Sequence, residues 1–472
     1  MGRAPTDLTA SERTADRAAR NSAVRAVAEL VAKFASLALV FVLARHVGVD
    51  GLGVYVFAFA WAEVANIPVD MGFDRFLTRQ VARDRRAIDS LMANVVAVKL
   101  LRAGPVLVAS FVLVNLLGYS ADTCGAVYAA AVGVIFESLV NTVLAAALGL
   151  GALAAGLGVV AVLVGFAVAA ASALVLAASL LVTHVGRPRL ALSREGRRET
   201  RSRTFGFAAQ EVFATGIARA DTILLSLLGS TAAVGIYGAG YRLLESSLFI
   251  PLALTTAFAA MFTYLGRDSE PSVGAAYGYA LKAALILLVP CAVVLFVLAE
   301  PVLALFFGDG FEGATTPLRL LAPVVVLLGA VIISTSLVIS RRDPRAMVWA
   351  FAAALGVNVA ANLLLIPAMG ASGAALGMLI TYGLFALVAF EMAARAVGHP
   401  PLISTLGGPL VAGGAMALAL MLLHSSPPLA AFAGVLVYLA VLVVVEWRLS
   451  PRDLRFATDM LRRYLPSSTR NA

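Results

Sequence analysis

Arg219, Arg242 and Lys282 stand inside long apolar stretches of the sequence, as do Glu63, Asp70, Asp221 and Glu245. Ionisable side chains are costly in such a setting, which makes each a functional candidate. The cations suit an anion: a guanidinium grips two phosphate or carboxylate oxygens at once, and an ammonium offers a compact point charge. The carboxylates suit a proton or a sodium ion, or they anchor an arginine from another helix. Arg25, Glu29 and Lys33 recur every four residues and so share one helical face, either as a self-neutralising ladder or as a cavity lining. The candidate contacts for an anionic headgroup are therefore Arg25, Lys33, Arg219, Arg242 and Lys282, and the candidates for ion coupling are Glu63, Asp70, Asp221 and Glu245.

Spacing narrows the pairings. Arg219 and Asp221 are two positions apart, which turns their side chains about 200° from each other on a helix, so each needs another partner. Arg242 and Glu245 are three apart and can pair locally. Glu63 and Asp70 are seven apart and share a face. Lys99 and Arg102 enter their helix from one end and read as snorkelling; for Lys282, snorkelling and binding stay equally open.

These residues support binding and not bond-breaking. The sequence contains no phosphate-cradling glycine loop, histidine-rich metal set or nucleophile–base arrangement. Its four histidines, His46, His184, His399 and His424, fall near the ends of apolar stretches. No catalytic residue, metal or cofactor is expected. Energy would come from an H+ or Na+ gradient, from membrane potential or from removal of the substrate.

The elements that position these groups follow from composition. Of 472 residues, 61% are apolar and only 13% charged, against about 25% charged in soluble domains. Charge-free runs such as Leu150 to Leu181 and Ala346 to Phe390 exceed the roughly 20 residues that one crossing needs. Crossings must be helical or closed barrels, and these runs are of helix length, so the fold class is an all-α polytopic membrane protein. The net charge of +9 is carried almost wholly by Arg, which reads as loop orientation rather than nucleic-acid binding. Cys124 and Cys291 lie in apolar runs and read as packing residues. The polar N-terminal stretch has no apolar signal core and reads as a disordered leader.

Charge parity sets the span count. Arg75, Arg79, Arg83, Arg85 and Arg86 mark one cytoplasmic loop, and the Arg-rich stretch 187–203 marks another. An even number of crossings must separate them. Two fall near 93–117 and 122–146, so 147–186 is expected to supply two more. The total is about fourteen helices with both termini cytoplasmic, joined outside by short turns such as 46–52.

An internal repeat organises these spans. Gly53-Val54-Tyr55 recurs as Gly235-Ile236-Tyr237, Glu63 as Glu245, Pro68 as Pro251 and Lys99 as Lys282, at offsets of 182 to 183 positions. The expected plan is a leader at 1–22, a six-helix lobe at 23–186, an Arg-rich linker at 187–203, a second six-helix lobe at 204–399, an additional helix pair at 400–448 and a tail at 449–472. The two pseudo-symmetric lobes would enclose a central cavity, related by an axis along the membrane normal.

Several stretches resemble a known family. They are Leu43 to Tyr55; Asp70-Met-Gly-Phe73 with Arg79; and Ala233 to Tyr237 with Arg242 and Pro251. Phe306-Phe-Gly308, Asn358 to Asn362, Pro367, Gly370 and Gly373-Ala-Ala375 are also similar. The likeness is to the O-antigen type (Wzx) branch of the multidrug/oligosaccharidyl-lipid/polysaccharide exporter superfamily. It implies a flippase that moves polyprenyl-pyrophosphate-linked oligosaccharide outward by alternating access, for cell-surface polysaccharide biosynthesis. It also implies a bacterial or archaeal plasma (inner) membrane, and the bilayer, the lipid-linked glycan and other polysaccharide assembly proteins as partners. The Gly-x-Tyr and Asp-x-Gly segments would shape turns at the mouths. The alternatives are a lipid II flippase or ion-coupled drug antiporter of the same fold, or, in another class, a non-transporting scaffold or a polysaccharide polymerase or ligase.

Overall fold

The structure, a computed structural model, describes residues 10–70, 88–137, 194–255, 270–341, 344–423 and 427–449. Among the described residues the regular structure is helical throughout, as expected of apolar segments whose backbone must satisfy itself in lipid. The helices are α1 (Ala10–Asp70), α2 (Ile88–Leu116), α3 (Ala121–Glu137), α4 (Arg194–Leu228), α5 (Thr231–Ser247), α6 (Glu270–Val297) and α7 (Ala299–Phe307). They continue as α8 (Thr315–Arg341), α9 (Pro344–Met369), α10 (Ala371–Val397), α11 (Leu402–Leu422) and α12 (Pro427–Leu449).

Seven of the described helical segments are long and apolar enough to cross a membrane. The chain is thus an all-α polytopic membrane protein. The fourteen-helix count is not fixed by these segments, because 147–186 lies outside the described residues. So do most of the basic loop after α1 and the Arg-rich residues before α4.

Several boundaries differ from the expectation. The outer turn at 46–52 contracts to one residue: α1 runs on through it, broken only at Gly48 (φ 68°, ψ −167°), a left-handed conformation that glycine adopts without penalty. The first two expected spans are the two arms of this kinked helix. α1 begins at Ala10, inside the stretch read as a leader, and α4 begins at Arg194, inside the stretch read as a linker. A helix satisfies its own backbone in water as well as in lipid, so a span continues past the membrane edge without a boundary signal. Beyond α6, the short α7 precedes the turn at Gly308 and Gly310, both with positive φ.

The repeat is visible in the packing. The second arm of α1 crosses α5 at Gly53 and Gly235. A Cβ on Gly53 would collide with the Thr231 carbonyl, and one on Gly235 with the Val49 carbonyl. Thr231 is itself the repeat counterpart of Val49, so the two collisions are reciprocal, which is what a two-fold relation between the copies produces. The Gly-x-Tyr segments therefore serve as a helix crossing, not as turns. Equivalent aromatic pairs flank it, Tyr55 with Phe59 at 4.8 Å and Tyr237 with Tyr241 at 5.8 Å between ring centroids.

Around this crossing, α8 packs with α6 and α10, and α9 packs with α4 and α10. The first arm of α1 meets α7, where Phe41 stacks on Phe306 at 4.4 Å and Arg45 donates to the Leu305 carbonyl. α11 and α12 pair with each other and dock on α6, where the Tyr438 hydroxyl donates to the Ile286 carbonyl at 2.8 Å.

Candidate functional site

The crossing of α1 and α5 brings charged groups together about three helical turns below the two glycines. α5 is a short helix of 17 residues, started by Ser230, whose Oγ accepts from the Ala233 N–H at 3.1 Å. Its register puts Tyr241, Arg242 and Glu245 toward α1 and α4. Arg219, nine residues before the end of α4, meets Glu63 of α1 in a two-point grip, Nε to Oε2 at 2.5 Å and Nη2 to Oε1 at 2.9 Å. The same Nη2 donates to Glu245 Oε1 at 3.0 Å. Glu245 Oε2 in turn accepts from Arg242 Nη1 at 3.0 Å, and Arg242 Nη2 donates to the Ser36 hydroxyl of α1.

The result is a chain of alternating charge, Glu63–Arg219–Glu245–Arg242, capped by Ser36. It is neutral in sum and joins the first repeat to the second. The Arg219 guanidinium also lies 5.5 Å from the Tyr241 ring centroid, within cation–π range. Side-chain exposure runs from 17% for Arg219 through 21% for Glu245 and 26% for Arg242 to 35% for Glu63. Arg242 Nε is buried and makes no hydrogen bond among the described residues.

Four of the nine sequence candidates thus form one cluster: Arg219, Arg242, Glu63 and Glu245. Asp221 lies apart from it, fully buried: its Oδ1 accepts from the Thr222 N–H at 2.8 Å and its Oδ2 from the Tyr237 hydroxyl. Arg219 and Asp221 take different partners, as their helical spacing requires.

Asp70 pairs with Lys99 of α2, so neither faces the cluster. Lys282 of α6 pairs with Glu446 of α12 at 2.5 Å, each side chain 8% exposed. Glu446 approaches so closely that a Cβ on Gly408 of α11 would meet its carboxyl group. Lys282 therefore fastens the C-terminal helix pair to α6. Arg25 and Lys33 lie on α1 upstream of Ser36, and their side chains are outside the described residues.

Sequence reasoning missed Ser36, Tyr241 and Glu446. Tyr241 stands one helical turn after Tyr237 of the repeat, a signal that was available. Glu446 is a lone acid in the last apolar run, also visible; Ser36 carries no signal of its own. Among the described residues, no group of three or more His, Cys, Asp or Glu is placed to hold a metal ion.

Two family profiles, each described as "Polysaccharide biosynthesis protein", match residues 18–139 and 133–316. No curated protein sequence matches the chain. Among solved structures it resembles "Lipid II flippase MurJ, inward closed conformation", with a TM-score of 0.69 and 15% identity, over 90% of this chain and 98% of that one. It also resembles a "multidrug resistance MATE family transporter of the MOP superfamily" in an inward-facing conformation. There the TM-score is 0.56 at 16% identity, over 78% of this chain and 94% of that one. The MATE multidrug transporter DinF-BH gives a TM-score of 0.56 at 18% identity, over 78% and 93%. Identities this low establish the fold alone. The two profile matches together span more than half of the sequence and include the whole charge cluster. The chain is a multi-pass membrane protein that matches polysaccharide-biosynthesis profiles over residues 18–139 and 133–316 and has the fold of the MOP-superfamily transporters.

Proposed function

We propose that the protein flips a polyprenyl-pyrophosphate-linked oligosaccharide from the cytoplasmic to the outer leaflet by alternating access. The two six-helix repeats would move about the cavity between them, in the plasma membrane, with both termini cytoplasmic. The observation that carries this reading is the inter-repeat charge cluster. Two guanidiniums sit between the halves of a membrane protein, and one still has a free buried N–H. A diphosphate is the ligand such a pair suits, because guanidinium forks match phosphate oxygens. Lys33 and Arg25, one and three turns upstream of Ser36 on α1, would extend the cationic path toward the cytoplasm. Coupling to H+ or Na+ through Glu245, Asp221 or Asp70 belongs to the same reading. A drug antiporter fits less well, since cationic drugs favour carboxylates free of arginine.

A lipid II flippase is the second reading. One observation favours it: the lipid II flippase fold spans 90% of this chain and the MATE fold only 78%. Proteoliposomes with a fluorescent lipid-linked sugar test both readings. Protein-dependent translocation of polyprenyl-pyrophosphate oligosaccharides, and less of lipid II, is expected; no translocation of any native lipid-linked glycan would falsify the flippase assignment. Arg219→Ala and Arg242→Ala should each slow translocation at least about tenfold at equal membrane abundance, the loss of one charge-assisted grip. Unchanged rates in both would remove the phosphate-contact role.

A further inference from the structure

Within the proposed transport reading, on which this inference rests, Arg219 has an occupant already in place. Glu63 holds it by the same two-point face, Nε and Nη2, that would grip a pair of phosphate oxygens. Glu63 comes from the first repeat, while Arg219, Arg242 and Glu245 all come from the second. Remove Glu63 and the cluster keeps two cations against one anion, a surplus of +1 where the two halves meet. An uncompensated charge there opposes closure of the halves. Glu245 is committed to both arginines, whereas Glu63 binds Arg219 alone and is the most exposed of the four, so Glu63 is the one free to leave.

We propose that the Glu63 carboxylate is an internal stand-in for the substrate anion. When the site is loaded, phosphate oxygens occupy the Arg219 fork and Glu63 swings aside. When the site is empty, Glu63 returns to the fork and neutralises the cluster, which allows the unloaded protein to close and reset. Glu63 is then a positioning residue for the return step. It is dispensable for carrying substrate across and required for coming back without it.

Two arrangements of the reconstituted full-length protein separate these steps. Net movement starts with fluorescent lipid-linked pyrophosphate sugar in one leaflet only, so the protein must return empty. Exchange starts with unlabelled substrate in both leaflets and a labelled trace in one, so the protein returns loaded. Glu63→Gln should slow net movement at least about tenfold and leave exchange within about twofold of wild type. Glu63→Ala should behave alike, and added sodium formate, a carboxylate small enough for the vacated place, should recover net movement without changing exchange. Should Glu63→Gln fail to accumulate in the membrane, Glu63→Asp is measured by the same ratio and should fall between wild type and Glu63→Ala. Equal loss in both arrangements, or no loss in either, overturns the stand-in role. A wild-type protein inactive in both overturns the transport function itself, and this inference with it.

Discussion

The two repeats share their scaffold and differ in their charges. Gly53 and Gly235, Tyr55 and Tyr237, and Glu63 and Glu245 occupy equivalent places. The arginines do not: the counterpart of Arg219 is Leu37 and that of Arg242 is Ala60. The lysines Lys99 and Lys282 are equivalent, yet one finds Asp70 within its own repeat and the other Glu446 on the added helix pair. Ala253, the residue at Asp70's place in the second copy, brings no charge. Shape is thus duplicated, whereas both arginines of the charge cluster lie in the second half. The C-terminal helix pair completes that half, supplying the counter-ion its own helices lack.

The shared scaffold is the first thing to break. Gly53→Val and Gly235→Val each push a side chain into a backbone carbonyl of the facing helix, which cannot yield as a side-chain tip would. Each should cost on the order of 4 kcal/mol or more and sharply reduce the folded protein recovered from membranes. The two losses should be similar; a mild effect at one site would show that the crossing is not reciprocal.

The unequal lysines give the next effect. Glu446→Gln leaves Lys282 buried without its carboxylate and should lower stability by about 3 kcal/mol, read as a drop in thermal unfolding temperature in detergent. The apolar double variant Lys282→Met with Glu446→Leu should recover most of the loss, since a buried pair replaced as a unit costs little. Transport should follow stability in these variants. A transport defect in a stable double variant would return Lys282 to the substrate path. The smallest effect is expected at Glu391 and Arg395, an exposed pair on one turn of α10 at 2.7 Å. Glu391→Gln should leave both unfolding temperature and transport unchanged, because solvent-exposed pairs are screened and entropically costly.

Much of this architecture is legible in the chain itself. Apolar runs of helix-span length give the helices, since a helix satisfies its own backbone in lipid, and the repeat offset survives in the packing at Gly53 and Gly235. The Arg242–Glu245 pair was readable because three positions along a helix bring side chains together. The Glu63–Arg219 grip was not, because its partners are 156 positions apart and nothing in helical periodicity says which face meets which. Helical spacing shows only that Glu63 can anchor an arginine from another helix and that Arg219 needs a partner. Lys282 was drawn toward the substrate for the same reason: its counter-ion lies 164 positions away, in a helix pair outside the repeat. Gly48 hid for a different reason. One left-handed residue can turn a helix, and the surrounding sequence reads equally well as a loop.

The reciprocal crossing also bears on descent. When each copy offers the same surface to the other, the joint has the form of an isologous dimer interface, in which whatever one partner gives it also receives. Two identical halves would make that joint from a single ancestral gene product. They could not make the present charge set, because an arginine at the place of Arg219 would appear twice, at the position now held by Leu37 as well. Four cations against two acids would then crowd one axis. Only once the two copies were encoded separately, as they are in this chain, could mutation treat them differently and leave a balanced two-against-two cluster where a symmetric pair would have carried a surplus.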